Sequence, residues 1–357
     1  MTPISSLNRV GALAVLLLAS FAAAAYAQTV TSFDAPNSTN TIPQAINIFG
    51  QIAGYYQDSN GHQFGFQRRR DGTFTSFSSY PDIPEIPTSV TGMNLRGEII
   101  GYTVTATDDD FLRQPDGTII HNLVPPSSTA SATMTAEPSP TPEDLDGSIP
   151  YAINAVGQIT GAFGRGPRGA YLREPDGSGV LFTVGAGLFT LTLPRSINLF
   201  AQITGSYLDS SSTSWNGFLR QPNGRIITFG PLGSVLTRPT SINLTGHIAG
   251  HYSTADGTSH GFLRKPNGKI VTFDPVGSIH TEVEAINLEG QITGFYATSD
   301  GVYHGFLRKK NGKIESFDAP GAANAGTFPK DINDLGEVVG YYQDVNFALH
   351  GFIRSKR

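Results

Sequence analysis

The sequence predicts an all-β protein, specifically a seven-bladed β-propeller of four-stranded blades. Three observations support this prediction. A phrase of the form INxxGQITGYY…HGFLRxPNGKIxTFDxPG recurs seven times, with a period of about 45 residues. Within each copy, apolar residues alternate or run in short β-rich bursts, and no helical pattern persists over several turns. Propeller blades of four strands have such a period, and their radial arrangement leaves only short protected edges.

Each copy contains four predicted strands separated by Gly, Pro, Asn and Asp. Strand a is the xSIN piece, strand b is GQITGYY, strand c is HGFLR and strand d is KIVTF. An Asn follows strand a in every copy and marks the repeat. The seven positions are Asn47, Asn94, Asn154, Asn198, Asn243, Asn287 and Asn333.

Two connections in the repeat are predicted to be tight hairpin turns. The INLEG segment at 286–290 and the KPNGK segment at 265–269 both place Asn or Pro early and Gly last. A type I turn followed by a left-handed residue requires this order, because Gly adopts positive φ without a Cβ clash. We therefore expect a structural role for the repeated Asn and Gly. Ala201 replaces the Gly in the fourth copy, and we expect that turn to be strained or of another type.

The last copy stops after strand c, and its missing strand is found at the other end of the chain. The segment TVTSFDAP at 29–36 matches the strand d segments KIVTFDPV and KIESFDAP. We predict that this N-terminal strand pairs with the HGFIR strand of the C-terminal blade and closes the ring. Such closure would bury Val30 and Phe33, each of which contributes about 1.5 to 3 kcal/mol when fully buried.

The first 27 residues are predicted to be a secretory signal peptide. They contain one basic residue, Arg9, an apolar run that begins at Val10, and small residues at Ala25 and Ala27. The apolar run is shorter than the roughly 20 residues of a membrane helix, and no later stretch reaches that length. We expect a secreted protein, periplasmic or extracellular, in which residues 28–357 form a single propeller domain without a membrane span.

The composition excludes several classes of function. The formal net charge is −5, with 24 Lys and Arg against 29 Asp and Glu, so nucleic acid is not an expected partner. The chain contains no Cys, which excludes disulfides, thiol catalysis and thiolate metal sites. No Ser-His-Asp, metal-ligand or phosphate-loop pattern is present either. We therefore expect no cofactor, no metal and no catalytic residue.

The repeat resembles the bacterial extracellular HAF-type repeat family, named for a His-Ala-Phe triplet at the start of strand c. The triplet occurs here as HGF at His260, His304 and His350, and as GAY at 169–171. The resemblance covers nearly all of the mature chain and implies an extracellular repeat of propeller type with no assigned chemistry. The remaining copies have Phe64, Asp109, Gly169 and Asn216 at the His position. We therefore expect these His residues to serve packing between blades rather than metal binding.

The variable loops are predicted to share one face of the propeller. Antiparallel strands place the a–b and c–d turns on one face, and the b–c and d–a loops on the other, called the loop face below. Binding residues tend to lie on variable loops, so any site is expected there. The Pro-, Ser- and Thr-rich segment 125–150 is either a mobile loop or a lid. Its Glu143, Asp144 and Asp146 could bind calcium, although their spacing is not that of an EF-hand. The acidic run at 108–110 is expected to be solvated.

One ring of residues is expected near the propeller axis. Residues one position before the repeated Asn are apolar, whereas those three positions before it are polar or amphipathic. The latter are Gln44, Thr91, Tyr151, Arg195, Thr240, Glu284 and Lys330. A ligand-contacting ring formed by Arg195, Glu284 and Lys330 is one interpretation, and a solvated rim is the other.

Two further features lie on strand c or next to it. Trp215, the only Trp, lies in a Ser-rich loop, where its indole either stacks on a ligand or covers a blade edge. Strand c also has Arg in all seven copies, which suggests a repeated structural bond to a carbonyl or to the strand d carboxylates Asp34, Asp274 and Asp318. These residues are Arg68, Arg113, Arg173, Arg220, Arg264, Arg308 and Arg354.

These features predict a secreted, non-catalytic binding protein that recognises a glycan or an extracellular protein through the loop face. The candidate ligand-binding residues are Tyr151, Arg195, Trp215, Glu284 and Lys330. The alternative is a polysaccharide hydrolase or lyase, because propellers host such chemistry at the channel mouth. Carboxylates such as Glu284, Asp82 and Glu85 would then act as an acid and base pair, which requires two such groups within about 10 Å. A structural component of the envelope or matrix is a third interpretation.

Overall fold

The computed structural model of the chain describes residues 28–103, 109–126, 147–164, 169–185, 190–209, 212–323 and 326–356. The regular structure of these residues is entirely β-strand, in agreement with the predicted all-β class. None of the described residues belongs to a helix that could cross a membrane. The predicted signal peptide and Glu143, Asp144 and Asp146 lie outside the described residues.

The strands form four-stranded antiparallel units in chain order, in which each strand pairs with the next. Units 1 to 3 are three separate four-stranded sheets. Unit 1 contains β2 (Ser38–Ile46), β3 (Ile52–Asp58), β4 (Gln63–Arg68) and β5 (Phe74–Phe77). Unit 2 contains β6 (Thr88–Met93), β7 (Ile99–Thr103), β8 (Asp110–Arg113) and β9 (Ile119–His121). Unit 3 contains β10 (Ile149–Ile153), β11 (Ile159–Phe163), β12 (Gly169–Arg173) and β13 (Gly179–Phe182).

Units 4 to 6 together form a twelve-stranded sheet, because two single parallel pairs, Trp215 with Leu236 and Ser259 with His280, join them. Unit 4 contains β14 (Leu191–Ile197), β15 (Ile203–Leu208), β16 (Trp215–Arg220) and β17 (Ile226–Phe229). Unit 5 contains β18 (Ser234–Ile242), β19 (Ile248–Thr254), β20 (Ser259–Arg264) and β21 (Ile270–Phe273). Unit 6 contains β22 (His280–Ile286), β23 (Ile292–Ala297), β24 (Tyr303–Arg308) and β25 (Ile314–Phe317).

Unit 7 combines the two ends of the described chain. It contains β26 (Thr327–Ile332), β27 (Val338–Gln343), β28 (Leu349–Lys356) and β1 (Gln28–Phe33). Strand β1 pairs antiparallel with β28 over its full length, so that Phe33 lies opposite Gly351. The His350 imidazole also lies 3.0 Å from the Asp34 carboxylate. The predicted pairing of the N-terminal segment with the HGFIR strand is therefore present.

Each unit has a bulky aromatic residue in the middle of its third strand, and all seven are fully buried. They are Phe66, Phe111, Tyr171, Phe218, Phe262, Phe306 and Phe352. The strand c Arg packs between units, since the guanidinium carbon of Arg264, for example, lies 4.8 Å from the ring centre of Phe229 in the preceding unit. Each such contact combines a cation–π attraction with burial of apolar surface.

Of the two partners predicted for the strand c Arg, the carbonyl is present, whereas the predictions for the strand c His and for the acidic run need correction. In units 1 to 5 the strand c Arg donates to the backbone carbonyl of the next residue, as Arg264 does to Lys265 at 3.4 Å. The strand d carboxylates instead contact the strand c His of the same unit, as in the 2.8 Å contact between His260 and Asp274. These His residues therefore serve contacts within a unit rather than packing between blades. In the acidic run, Asp110 is buried and accepts a hydrogen bond from the Leu123 N–H at 2.8 Å, because the chain that follows covers it.

The repeated Asn stabilises its own turn and also joins neighbouring units. The Asn47 Oδ1 accepts hydrogen bonds from the N–H groups of Phe49 and Gln51, each at 3.1 Å. Its Nδ2 donates to the backbone carbonyl of Asn94 in the next unit at 3.4 Å. The predicted structural role of the Asn is confirmed, and the bond between units adds to it. Ala201 makes the same turn hydrogen bonds as the Gly it replaces, but with φ at 56°.

Candidate functional site

A cavity of about 560 Å³ lies where the first strands of the units converge. Every unit contributes at least one residue to its lining. Seven of the lining residues occupy equivalent positions, three before the repeated Asn. They are Gln44, Thr91, Tyr151, Arg195, Thr240, Glu284 and Lys330. The ring that the sequence predicts near the axis therefore surrounds one cavity.

A β-bulge places each of these seven side chains. The pairing register between the first and second strands shifts around the ring residue in every unit, as between Pro43 and Ala45 or between Val283 and Ala285. A bulge adds one unpaired residue and changes the direction of its side chain. The two strands also approach closely next to the bulge, since a Cβ added to Gly54 would lie 2.3 Å from the Ile42 carbonyl oxygen. Only Gly fits at this position.

Pro immediately precedes the bulged residue in five of the seven units. These residues are Pro43, Pro150, Pro194, Pro239 and Pro329. Within sheets Pro is confined to edges and bulges because it has no N–H to donate. A Pro three residues before the end of a predicted strand was therefore a signal for the bulge in the sequence.

A second group of residues lines the cavity on one side of this ring. Tyr55, Tyr102 and His251 lie on second strands, eight positions after the repeated Asn. They are paired with first-strand residues that precede the bulge, including Arg238 opposite His251. These first-strand residues precede the bulge. The cavity therefore extends from the ring toward the start of the first strands, which is their end nearest the loop face.

Lys330 and Glu284 form an ion pair across two neighbouring units. The Lys330 Nζ lies 2.7 Å from Glu284 Oε1, and both side chains are a little over one fifth exposed. Burial raises the pKa of Glu284, although Lys330 opposes this effect. Burial alone would lower the pKa of Lys330, but the Glu284 carboxylate outweighs it and raises that pKa. The salt bridge therefore holds the two groups together at the cavity wall.

Arg195 stacks on Tyr151, its neighbour in the ring. The guanidinium carbon lies 4.4 Å from the centre of the tyrosine ring. Burial is the main cause of the raised pKa of the Tyr151 hydroxyl. The stack orients the guanidinium plane and leaves its N–H groups available at the edge, because a planar guanidinium donates in its own plane.

Glu282 and His251 form a second titratable region in the cavity lining. Burial lowers the pKa of His251 to about 4, so its imidazole is neutral at pH 7. Its Nδ1 accepts a hydrogen bond from the Val283 N–H at 3.4 Å. Glu282 contacts His280 at 2.9 Å. Burial alone would raise the pKa of Glu282, but the imidazoles of His251 and His280, together with the Arg238 guanidinium, outweigh it and lower that pKa.

Four of the five candidate residues from the sequence line this cavity, and the fifth does not. Tyr151, Arg195, Glu284 and Lys330 belong to the ring. Trp215 lies at the start of β16, where it pairs with Leu236 of the next unit, away from the cavity lining. The backbone pairing of Trp215 with Leu236 thus joins unit 4 to the first strand of unit 5.

The sequence did not identify several other lining residues, and it proposed two carboxylates that the cavity lining does not include. Asp82 and Glu85 lie between β5 and β6 and are not among the lining residues. Glu282 instead accompanies Glu284 in the lining. Alternate residues of a strand point to the same face, and this alternation could have identified Glu282 and Arg238 as lining residues. The bulge interrupts the alternation in these first strands. Among the described residues no group of three His, Asp or Glu side chains could hold a metal ion.

No protein-family profile and no curated protein sequence matches the chain. Solved structures that align with it include TolB from Acinetobacter baumannii, at 10% identity and a TM-score of 0.46, over 86% of this chain and 80% of TolB. A puromycin-hydrolysing peptidase from Mycobacterium tuberculosis aligns at 13% identity and a TM-score of 0.41, over 87% of this chain and 60% of the peptidase. The lectin of Aleuria aurantia, a six-bladed β-propeller that recognises fucose, aligns at 12% identity and a TM-score of 0.40, over 92% of each chain. TM-scores this low provide no information about the function of this chain.

Proposed function

We propose that this protein is a secreted, non-catalytic binding protein that holds a carbohydrate in the central cavity. The observation that carries the proposal is the convergence of seven bulged side chains, one from each unit, on a single cavity. Bulges are frequent next to functional sites because they redirect a side chain. Here the redirected side chains include hydroxyl, amide, phenol and charged groups, which suit the many hydroxyls of a sugar.

We infer that the units are the seven blades of a closed propeller. Two observations support closure. The two ends of the chain share unit 7 through the pairing of β1 with β28. In addition, each repeated Asn donates to the carbonyl of the next, and the last, Asn333, donates to Asn47 at 3.1 Å. A closed ring would hold the ring residues in fixed positions and so reduce the entropy lost when a ligand binds.

Secretion completes the proposal. The predicted signal peptide and the resemblance to extracellular HAF-type repeats both favour export, and a chain without Cys folds equally well in an oxidising compartment. An extracellular location would bring the cavity into contact with polysaccharides of the envelope or the surroundings.

The charged groups of the cavity favour binding over catalysis. Glu284 is paired with Lys330, and Glu282 with His280. A general acid must hold a proton at the working pH, whereas the adjacent Lys330 ammonium opposes protonation of Glu284. The tyrosines lining the cavity supply flat apolar faces beside polar tips, as sugar recognition requires.

A glycan array tests the proposal directly. The purified protein should bind a subset of glycans, and Tyr151→Ala should reduce that binding at least tenfold because it removes a stacking face and the support of Arg195. The matched control is Phe200→Ala, which removes a 60% exposed aromatic ring from an a–b turn outside the cavity lining. Binding that is lost in Trp215→Ala but retained in Tyr151→Ala would move the site to the loops. An array without any bound glycan would refute the proposal.

A polysaccharide hydrolase or lyase is the second candidate, and one observation favours it. Glu282 and Glu284 line the same cavity with pKa values displaced in opposite directions, lowered for Glu282 and raised for Glu284. The acid and the base of a catalytic pair have pKa values that are shifted apart in this way. Release of reducing ends from a polysaccharide, abolished in both Glu282→Gln and Glu284→Gln, would support this candidate over pure binding.

A further inference from the structure

Two of the cationic side chains in the cavity lining form no salt bridge with any described residue. Lys330 is neutralised by Glu284 at 2.7 Å. Arg195 and Arg238 line the same cavity, and neither forms an ion pair or a side-chain hydrogen bond with another described residue. Both are exposed, although they lie within the first strands of units 4 and 5.

The lining contains three cationic side chains, Arg195, Arg238 and Lys330, against two carboxylates, Glu282 and Glu284. Glu282 contacts His280 at 2.9 Å and also lies near enough to Arg238 for that guanidinium to lower its pKa, and the neutral His251 adds no positive charge at pH 7. The two guanidinium groups come from adjacent units and remain available for an anion. Arg195 is also fixed in orientation by its stack on Tyr151 at 4.4 Å, so it loses little side-chain entropy when it binds.

We propose, building on the carbohydrate-binding function above, that the ligand is an acidic sugar whose carboxylate is bound by Arg195 and Arg238. A guanidinium group offers two parallel N–H donors that match the two oxygens of a carboxylate. The ligand class is thus a uronic acid or an oligosaccharide that contains one.

The rest of the lining fits the remainder of such a sugar. Gln44 offers an amide, and the hydroxyls of Thr91 and Thr240, which donate to backbone carbonyls at 2.6 and 3.3 Å, offer acceptors for ring hydroxyls. The Glu284–Lys330 pair offers both an acceptor and a donor. The C-terminus of a peptide also has a carboxylate, but an apolar side chain beside it would require an apolar pocket, and among the described lining residues the aliphatic ones are only Val90, Ile149 and Pro239.

Calorimetric titration with matched sugar pairs tests the inference. The probes are oligosaccharides of galacturonate, glucuronate and mannuronate, each compared with its carboxyl-reduced neutral counterpart. We expect at least one acidic sugar to bind about tenfold or more tightly than its neutral partner, with weaker binding at higher salt. Arg195→Gln and Arg238→Gln should each remove most of that preference. Arg225→Gln removes the same charge from an exposed c–d turn outside the cavity lining and should keep the preference.

The outcomes separate this inference from the function on which it rests. Equal binding of acidic and neutral sugars would overturn the carboxylate inference and retain carbohydrate binding. Unchanged preference in both Arg195→Gln and Arg238→Gln would also overturn it. Binding of a short peptide through its free C-terminus, with no sugar bound, would overturn both the inference and the proposed function.

Discussion

The side-chain amide of Asn333 donates a hydrogen bond to the backbone carbonyl of Asn47 at 3.1 Å, although the two residues are 286 positions apart in the chain. Equivalent bonds link each repeated Asn to the next, as between Asn287 and Asn333 at 3.0 Å. The seven bonds therefore form a continuous circuit through buried side chains. Buried hydrogen bonds of this kind cost more to break than they contribute when formed, because a buried polar group without a partner loses its solvation.

Deletion of residues 28–36 should unfold the protein or leave it open and prone to aggregation. The deletion removes β1, its pairing with β28 and the contact between Asp34 and His350. It also removes Val30 and Phe33, which pack against the cores of two different units. Full burial of such side chains contributes about 1.5 to 3 kcal/mol each, an upper limit for these half-buried residues.

Thermal unfolding followed by circular dichroism measures the effect of this deletion. Phe33→Ala is the milder companion variant, since it keeps the strand and removes only the ring that stacks 4.8 Å from the Arg68 guanidinium. We expect a lower melting temperature for Phe33→Ala and a loss of the cooperative transition for the deletion. A deletion variant that melts at the wild-type temperature would contradict the contribution of β1.

Tyr171→Phe should stabilise the protein. The Tyr171 hydroxyl is buried and has no hydrogen-bond partner among the described residues, and the six equivalent residues in the other units are all Phe. Burial of an unpaired hydroxyl costs about 1 to 3 kcal/mol, and its removal should recover part of that cost. Chemical denaturation should therefore show a higher midpoint.

The reverse exchange, Phe262→Tyr, provides the control for this prediction. It places a hydroxyl in the equivalent fully buried position of unit 5 and should lower the denaturation midpoint. If Tyr171→Phe has a lower midpoint than the wild type, the hydroxyl has a stabilising partner and the prediction is wrong.

Ala201→Gly should stabilise the a–b turn of unit 4 by about 0.5 to 1 kcal/mol. Ala201 adopts φ of 56° with the same turn hydrogen bonds as its glycine counterparts. The left-handed region costs a residue with a Cβ roughly 1 kcal/mol, and the greater freedom of Gly in the unfolded chain offsets part of the gain. Gly290→Ala, at φ of 78° and with its nearest contact at 3.9 Å, should give the opposite change. Equal midpoints for Ala201→Gly and wild type would show that the turn carries no strain.

His251 should make the protein less stable in mildly acidic solution. Its pKa is about 4 in the folded protein, against 6.5 ordinarily. Between these two values the unfolded chain binds more protons than the folded one. The free energy of unfolding therefore falls as the pH falls from 6.5 to 4, by a total on the order of 3 kcal/mol. Protonation would also remove the acceptor for the Val283 N–H.

Unfolding free energies of wild type and His251→Gln across this pH range measure that contribution. Gln keeps an acceptor but does not titrate. Asp331, whose pKa burial raises to about 6, acts in the opposite direction and is common to both proteins. As the pH falls, the wild type should therefore lose more unfolding free energy than His251→Gln does. The unfolding free energy of the wild type minus that of the variant should decrease. Parallel pH profiles would rule out a depressed pKa for His251.

The sequence by itself determined the elements that local chemistry specifies. The repeated Asn and Gly predicted the turns, and the alternating apolar residues predicted the four strands of each copy. The match between 29–36 and the strand d segments predicted which strands pair at the two ends. It also predicted a polar ring three positions before the Asn, because that position is equivalent in every copy.

Only the tertiary structure decided which of these side chains act together. It placed Trp215 away from the cavity and brought Glu282 and Arg238 into its lining, because the bulge changes the alternation that the sequence pattern implies. It also decided that Lys330 forms a salt bridge with Glu284 while Arg195 forms none with any described residue. Such pairing depends on distances between residues that are far apart in the chain. These distances follow from the register and packing of whole units, whereas a repeated pattern specifies only the position of a residue within its own unit.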